Sequence, residues 1–204
     1  MTPQIGTVEG TESDSLEGDQ TGRPMRADAR RNYERLVAAA REVFAEQGGQ
    51  ASMEAIARQA GVGVGTLYRH FPKRIDIVEA VYLTDVETLV ETAERVAAEL
   101  EPWEAVVAFL EAFVRYAQVK RTFLNELREA FEKNPQLRSQ CRERIDHATN
   151  LVVGRAQRAG VVRGDLDGSD VMQIVGPMCT SATLSEDQSN RLLATILDGL
   201  RRLP

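Results

Sequence analysis

From about residue 28 onward the apolar residues recur at three- and four-residue steps, and no alternating β-branched run bounded by turn signals interrupts them. A chain patterned this way buries stripes of helices, so the expected fold is all-α. Its 204 residues, 43% hydrophobic and 27% charged, suffice for one or two domains with a core. The first stripe is Tyr33, Leu36, Val37, Ala40, Val43 and Phe44, stopped by Gly48 and Gly49. Ser52 caps a short second helix with Glu54 in its first turn and Met53, Ile56, Ala57 and Ala60 inward, ended by Gly61. A third short helix from Val64 to His70 stops at Phe71, because Pro72 disfavours helical backbone just before it.

A long stripe follows, Ile75, Val78, Tyr82, Val86, Leu89, Ala93, Val96 and Leu100, which makes a rod of roughly 40 Å at 1.5 Å per residue. Pro102 opens a fifth helix carrying Trp103, Val106, Leu110, Phe113 and Ala117, and a shorter segment spans Leu124 to Phe131. Asn134 and Pro135 start a long helix with Leu137, Cys141, Ile145, Ala148, Val152, Ala156 and Ala159 inward, closed by Gly160. Two more helices are expected, one from about Asp170 to Thr183 behind the cap Ser169, one from about Asp187 with Leu192, Leu193, Ile196, Leu200 and Leu203 inward.

Charge divides the chain into three. Residues 1–22 hold five acids and no base; residues 23–76 hold nine arginines and Lys73 against six acids, a net +4; residues 77–204 carry a net −5. A total of −6 therefore conceals one basic segment, the electrostatic footprint of a phosphate binder. Arg23, Arg26, Arg30 and Arg31 are either an arm that touches phosphates or the minor groove, or solvated tail residues.

The basic segment contains Ser52-Met53-Glu54-Ala55-Ile56-Ala57-Arg58-Gln59-Ala60-Gly61-Val62-Gly63-Val64-Gly65-Thr66-Leu67-Tyr68-Arg69-His70-Phe71, which reads helix, glycine turn, helix. In a helix-turn-helix a short helix braces a second one whose N-terminal side chains enter the major groove. Gly63 and Gly65 let backbone approach DNA closely, Thr66 and Arg69 donate to phosphate or bases, Tyr68 and His70 add reach, and Leu67 and Phe71 point inward. The same glycines as a dinucleotide fingerprint would require a preceding strand, and the preceding residues read as amphipathic helix.

This stretch resembles the tetracycline-repressor (TetR/AcrR) family of bacterial transcriptional regulators: Met53-Glu54-x-Ile56-Ala57, Gly61-Val62, then Gly65-Thr66-Leu67-Tyr68-Arg69-His70-Phe71. Motif-level likeness runs from the first helix to the start of the fourth, about a quarter of the chain. Lys73 departs from the small polar residue that caps the fourth helix in many members, which weakens the cap, while the resemblance carries a phosphate contact over to Arg74. The expected DNA-binding set is Ser52, Met53, Gly63, Val64, Gly65, Thr66, Tyr68, Arg69, His70, Lys73 and Arg74. Composition sets off an acidic, disordered tail over residues 1–25, and the resemblance implies a DNA-binding domain over 26–75 and an effector-binding and dimerisation domain over 76–204. It implies a homodimer through the last two helices on a palindromic operator, released by a small-molecule effector; the alternatives are a regulator without small-molecule control and a nonspecific nucleoid binder.

Bulky and soft side chains line pockets for apolar ligands, and Trp103, Phe109, Phe113, Tyr116, Phe123, Met172 and Met178 are the candidates, although a filled core has the same spacing. Catalysis has little to work with, since the histidines are His70 and His147 and no GxSxG or SxxK occurs. Glu143 and His147 lie four apart with no second ligand pair, which favours a surface hydrogen bond over a metal. Cys141 and Cys179 fit free core thiols. No cofactor is expected, and with no apolar run near the ~18 residues of a membrane span and no signal-like start, the expected location is the cytoplasm.

Overall fold

A computed structural model describes residues 22–181 and 184–202, the side chains of 22–27 and 186 excepted. Helix α1 (Gly22–Gln47) leads through a 3-10 turn (Gly48–Gln50) to α2 (Met53–Gln59), α3 (Val64–His70) and the long α4 (Arg74–Glu99). Then come α5 (Pro102–Thr122), α6 (Leu124–Lys133), α7 (Pro135–Arg158), α8 (Gly168–Thr180) and α9 (Glu186–Leu200). No strand occurs among the described residues, where the one isolated bridge pairs Val162 with Arg201. The all-α expectation is met.

The helices end where local chemistry stops them. The Asn134 side chain accepts from the Leu137 N–H at 3.3 Å, satisfying a free donor of α7 while Pro135 takes the first helical position. Three boundaries differ from the sequence expectation, one being the end of α8, which stops at Thr180 with Ser181 as its C-cap and not at Thr183. Helix α1 starts at Gly22, so four residues assigned to the acidic tail are helical; the rest of that tail lies outside the described residues, as does Leu203. Helix α8 is capped by Asp167 rather than Ser169, because the Asp167 carboxylate accepts from the Asp170 N–H (2.9 Å) while the Asp170 carboxylate accepts from the Asp167 N–H (3.0 Å).

One continuous core runs from Leu36 to Leu200. Helix α4 is its axis, packed chiefly against α7 and α5 with Ile77, Val78, Val81, Val86 and Ala93 fully enclosed. Each such aliphatic side chain contributes on the order of 1.5–3 kcal/mol when taken out of water. The other end of α4 carries α1–α3, so the bundle of α5–α9 and the basic helices are parts of one packed body. The buried Asp85 of α4 holds α1, accepting from Arg41 Nε at 2.7 Å through one oxygen while its Oδ2 has no partner among the described residues. Burial pushes the Asp85 carboxyl up, and Arg41 opposes that rise.

Candidate nucleic-acid interface

Helix α2 begins where Ser52 Oγ accepts from the Ala55 N–H at 3.1 Å and ends in a turn at Gly61, whose φ of +64° is costly for any residue with a Cβ. A Cβ there would also stand 2.9 Å from Arg35 Nη2, because Arg35 reaches across from α1 to donate to the Ala60 carbonyl, with the Gly61 carbonyl at 3.5 Å. A cation on the free carbonyls at a helix C-terminus suits the helix dipole. Gln59 Nε2 donates to Glu42 at 2.8 Å, a second tie between α2 and α1.

Helix α3 is seven residues long, and Leu67, fully buried, with Phe71 just past its end, turns inward. That fixes what faces out: Val64, Gly65, Tyr68 and Arg69 are exposed, Thr66 and His70 half-buried. Tyr68 is the largest of them, 42% exposed. His70 is drawn partly back, its ring 6.2 Å edge-on from that of Tyr33, which itself stacks on Phe71 at 5.1 Å and so lies less deep than its place on the apolar stripe implies. Gly63 and Gly65 have ordinary backbone angles, and a Cβ on either would meet nothing within 4 Å, so nothing inside the protein requires glycine there.

The remaining members of the expected set separate. Ser52 is exposed with its hydroxyl used as the cap, whereas Met53 is 7% exposed and belongs to the core, because it occupies the inward side of α2 with Ile56 and Ala57. Lys73 is exposed, and among the described residues its ammonium makes no hydrogen bond or ion pair. A lysine side chain has no acceptor for a capping role, so α4 keeps only the reciprocal half, the Lys73 N–H donating to Asp76 at 2.8 Å. Arg74 turns inward: it donates to the Ala51 carbonyl and to Glu126 of α6 at 3.1 and 3.2 Å, and lies 5.1 Å over the Phe44 ring. The carried-over phosphate contact is thus replaced, in this conformation, by a junction of α1, α2, α4 and α6. Arg30 and Arg31 pair on the surface with Glu34 and Asp28; the side chains of Arg23 and Arg26 lie outside the described residues.

Below this junction a partly open cavity of about 790 Å³ lies among α4, α5, α6, α7 and α8. Of the seven sequence candidates, Phe113, Tyr116 and Met172 line it. The other four do not: Phe109 and Phe123 are fully enclosed in solid core, Trp103 lies under Arg201 at 4.5 Å, and Met178 packs on the core away from the cavity. Sequence reasoning missed Tyr82, which it placed on the apolar stripe of α4, and Phe131, Lys120, Arg128, Arg138 and Arg142, to which it gave no role. The Lys120 ammonium sits 5.0, 5.8 and 6.0 Å over the rings of Tyr82, Tyr116 and Phe131, and burial lowers its pKa to about 8. Burial likewise raises the hydroxyls of Tyr82 and Tyr116 and the Cys141 thiol. Glu143 and His147 are exposed on α7 and make no hydrogen bond to each other, and no metal-binding cluster occurs among the described residues. Among those residues no helix is long and apolar enough to cross a membrane.

Comparisons with known proteins agree with this architecture. Residues 36–81 match the family of bacterial regulatory proteins of the tetR type, and residues 101–202 match the C-terminal domain of SbtR-like transcriptional regulators. The crystal structure of the TetR transcriptional regulator SCO0520 from Streptomyces coelicolor superposes with a TM-score of 0.74 at 35% identity, over 84% of this chain and 99% of that one. A TetR regulatory protein from Mycobacterium vanbaalenii does so at 0.70 and 32%, over 88% and 100%. The HTH-type transcriptional regulator UidR of Escherichia coli is 25% identical over 185 residues, 88% of this chain and 94% of its own. With a helix-turn-helix of this geometry ahead of a matching C-terminal domain, the chain belongs to the TetR family of transcriptional regulators, non-enzymatic proteins that bind DNA.

Proposed function

We propose that this protein is a repressor that binds a palindromic operator as a homodimer and is released by a small molecule held in the α4–α8 cavity. The observation that carries the reading is the placement of that cavity against α4 and α6, the two helices joined through Arg74 and Glu126 to the head of the DNA-binding helices. A ligand that alters the position of α6 pulls on Glu126, hence on Arg74 and the Ala51 carbonyl at the start of α2. Such a ligand shifts the equilibrium only by its differential affinity for the two arrangements, in general about 1–3 kcal/mol.

At the DNA, α3 enters the major groove with Val64, Gly65, Thr66, Tyr68 and Arg69 leading and His70 behind them, while Ser52 and Lys73 flank it on the phosphates. The open space over Gly63 and Gly65 suits close approach of a DNA backbone. Dimerisation uses α8 and α9: Val171, Val175 and Leu193 are buried within the chain, but Ile174 (49% exposed) and Leu192 (39%) face outward and suit a self-complementary interface. Selection of duplexes from a random DNA pool by the full chain tests the reading. The expected product is a palindrome with half-sites about one helical turn apart. Retention with no enriched sequence overturns it in favour of nonspecific binding.

A further inference from the structure

The cavity is not electrically neutral. Its walls include Lys120, Arg128, Arg138 and Arg142 against Glu132 and Asp146, within a part of the chain that is acidic overall. Arg142 is already paired with Asp146 at 3.1 Å, and Arg128 and Arg138 stand exposed at the opening. Lys120 differs from these. Its side chain is half-buried with the ammonium over three aromatic rings, and among the described residues no carboxylate lies within 4 Å of it. A partly desolvated cation with no acid partner is costly, and an anion arriving from outside offsets that cost. Beside it, the Tyr116 hydroxyl is fully enclosed, close to Tyr82 and Cys141, so Tyr116 offers the cavity its ring. One half-buried cation without an acid partner among the described residues thus faces a space otherwise walled by Tyr82, Phe113, Tyr116, Phe131 and Met172.

We infer that the cavity takes a monocarboxylate with an apolar or aromatic body, its carboxylate held by Lys120 and its body against Phe113, Phe131 and Met172. The inference rests on the reading of this cavity as the effector site and names the chemical class of the effector. A single negative charge matches the one cation drawn in over the rings; a dianion such as a phosphate monoester would bring a second charge that only the exposed arginines at the opening could meet.

The test is calorimetric titration of the full-length protein at neutral pH with three acid–amide pairs of graded size: phenylacetate, 2-naphthylacetate and dodecanoate, each beside its primary amide. At least one acid is expected to bind about tenfold or more tighter than its amide, the worth of a buried charge-assisted hydrogen bond. Lys120→Met removes that preference and leaves the amide's affinity unchanged, Lys120→Arg retains it, and the unliganded Lys120→Met melts no lower than the wild type. Equal binding of acid and amide overturns the carboxylate inference while leaving the cavity as an effector site. No binding by any of the six probes overturns both.

Discussion

Lys73 and Arg74 are adjacent cations at the head of α4 with opposite fates, and replacing each by alanine separates a DNA-facing charge from a structural one. The Arg74 guanidinium donates to the Ala51 carbonyl and to Glu126, lies over Phe44, and is 27% exposed against 25% for Glu126. A charge-assisted hydrogen bond is worth about 1.5 kcal/mol. One of them to the carbonyl, a partly screened pair with Glu126 and about 0.5 kcal/mol of cation–π attraction place the loss in Arg74→Ala near 2–3 kcal/mol. For a chain of this size that lowers the melting temperature by about 5–10 °C. Lys73 is exposed and its ammonium is unpaired among the described residues, so Lys73→Ala costs within about 0.5 kcal/mol. On DNA the order reverses. Each lost phosphate contact lowers the slope of log K against log salt by about 0.9, hence about 1.8 for a dimer. Fluorescence anisotropy on an operator duplex across a salt series, beside thermal melts, reads both effects. An Arg74→Ala protein that melts like the wild type but shows a flattened salt slope would refute the inward assignment and return the phosphate contact to Arg74.

Tyr68→Ala should weaken operator binding by about 1–3 kcal/mol, roughly ten- to a hundredfold, with an unchanged melting temperature, since the side chain is exposed; undiminished binding removes Tyr68 from the recognition surface. Gly61→Ala is expected to cost about 1–2 kcal/mol through its positive φ and the approach to Arg35, read by chemical denaturation. Arg41→Ala leaves the Asp85 carboxylate buried without its cation and should destabilise by about 2–3 kcal/mol, less than a fully buried pair because Arg41 is half-exposed. Asp85→Asn tests the pH dependence. Burial raises the Asp85 carboxyl above its unfolded value, so its ionisation penalises the fold, with no penalty at low pH and the full one above the folded value. The stability of Asp85→Asn relative to wild type should therefore grow as pH rises from acid to neutral, and a constant difference would contradict the raised carboxyl.

The helices were legible because a 3.6-residue period, a few caps and the glycines specify them locally. Gly61 is an example, since its place after Ala60 and before Val62 leaves a left-handed turn as the way to connect α2 and α3. What the sequence did not disclose is direction. Phe109 and Phe113 lie one helical turn apart on the same apolar face, and whether a wall is filled or hollow behind each depends on residues from four other helices. Long cations are harder still: Arg35, Arg74 and Lys120 each carry a flexible stem whose head goes wherever a carbonyl, a carboxylate or an aromatic face is brought by the rest of the chain. The resemblance that placed Arg74 on DNA identified the position and left open the side on which its guanidinium would lie. Asp167 displaced Ser169 as a cap for a related reason: both are good caps, and the reciprocal partner Asp170 decides between them.

The same direction of side chains limits what the basic segment can do to DNA. Its net +4 counts Arg35, Arg41 and Arg74, which are engaged within the protein, and Arg30 and Arg31, which are paired with Glu34 and Asp28. Among the described side chains of that segment, Arg58, Arg69 and Lys73 remain exposed and unpaired. A dimer then offers about six such cations, and the slope of log K against log salt for operator binding should not exceed about 5 in magnitude. On the proposed binding mode, the remaining affinity is expected from uncharged groups on α3, Thr66 and Tyr68 foremost, and from close backbone approach at Gly63 and Gly65. A measured slope well above 5 would assign phosphate contacts to Arg23 and Arg26, and a slope that falls by about 4 when both are replaced by alanine would place those two arginines on the DNA.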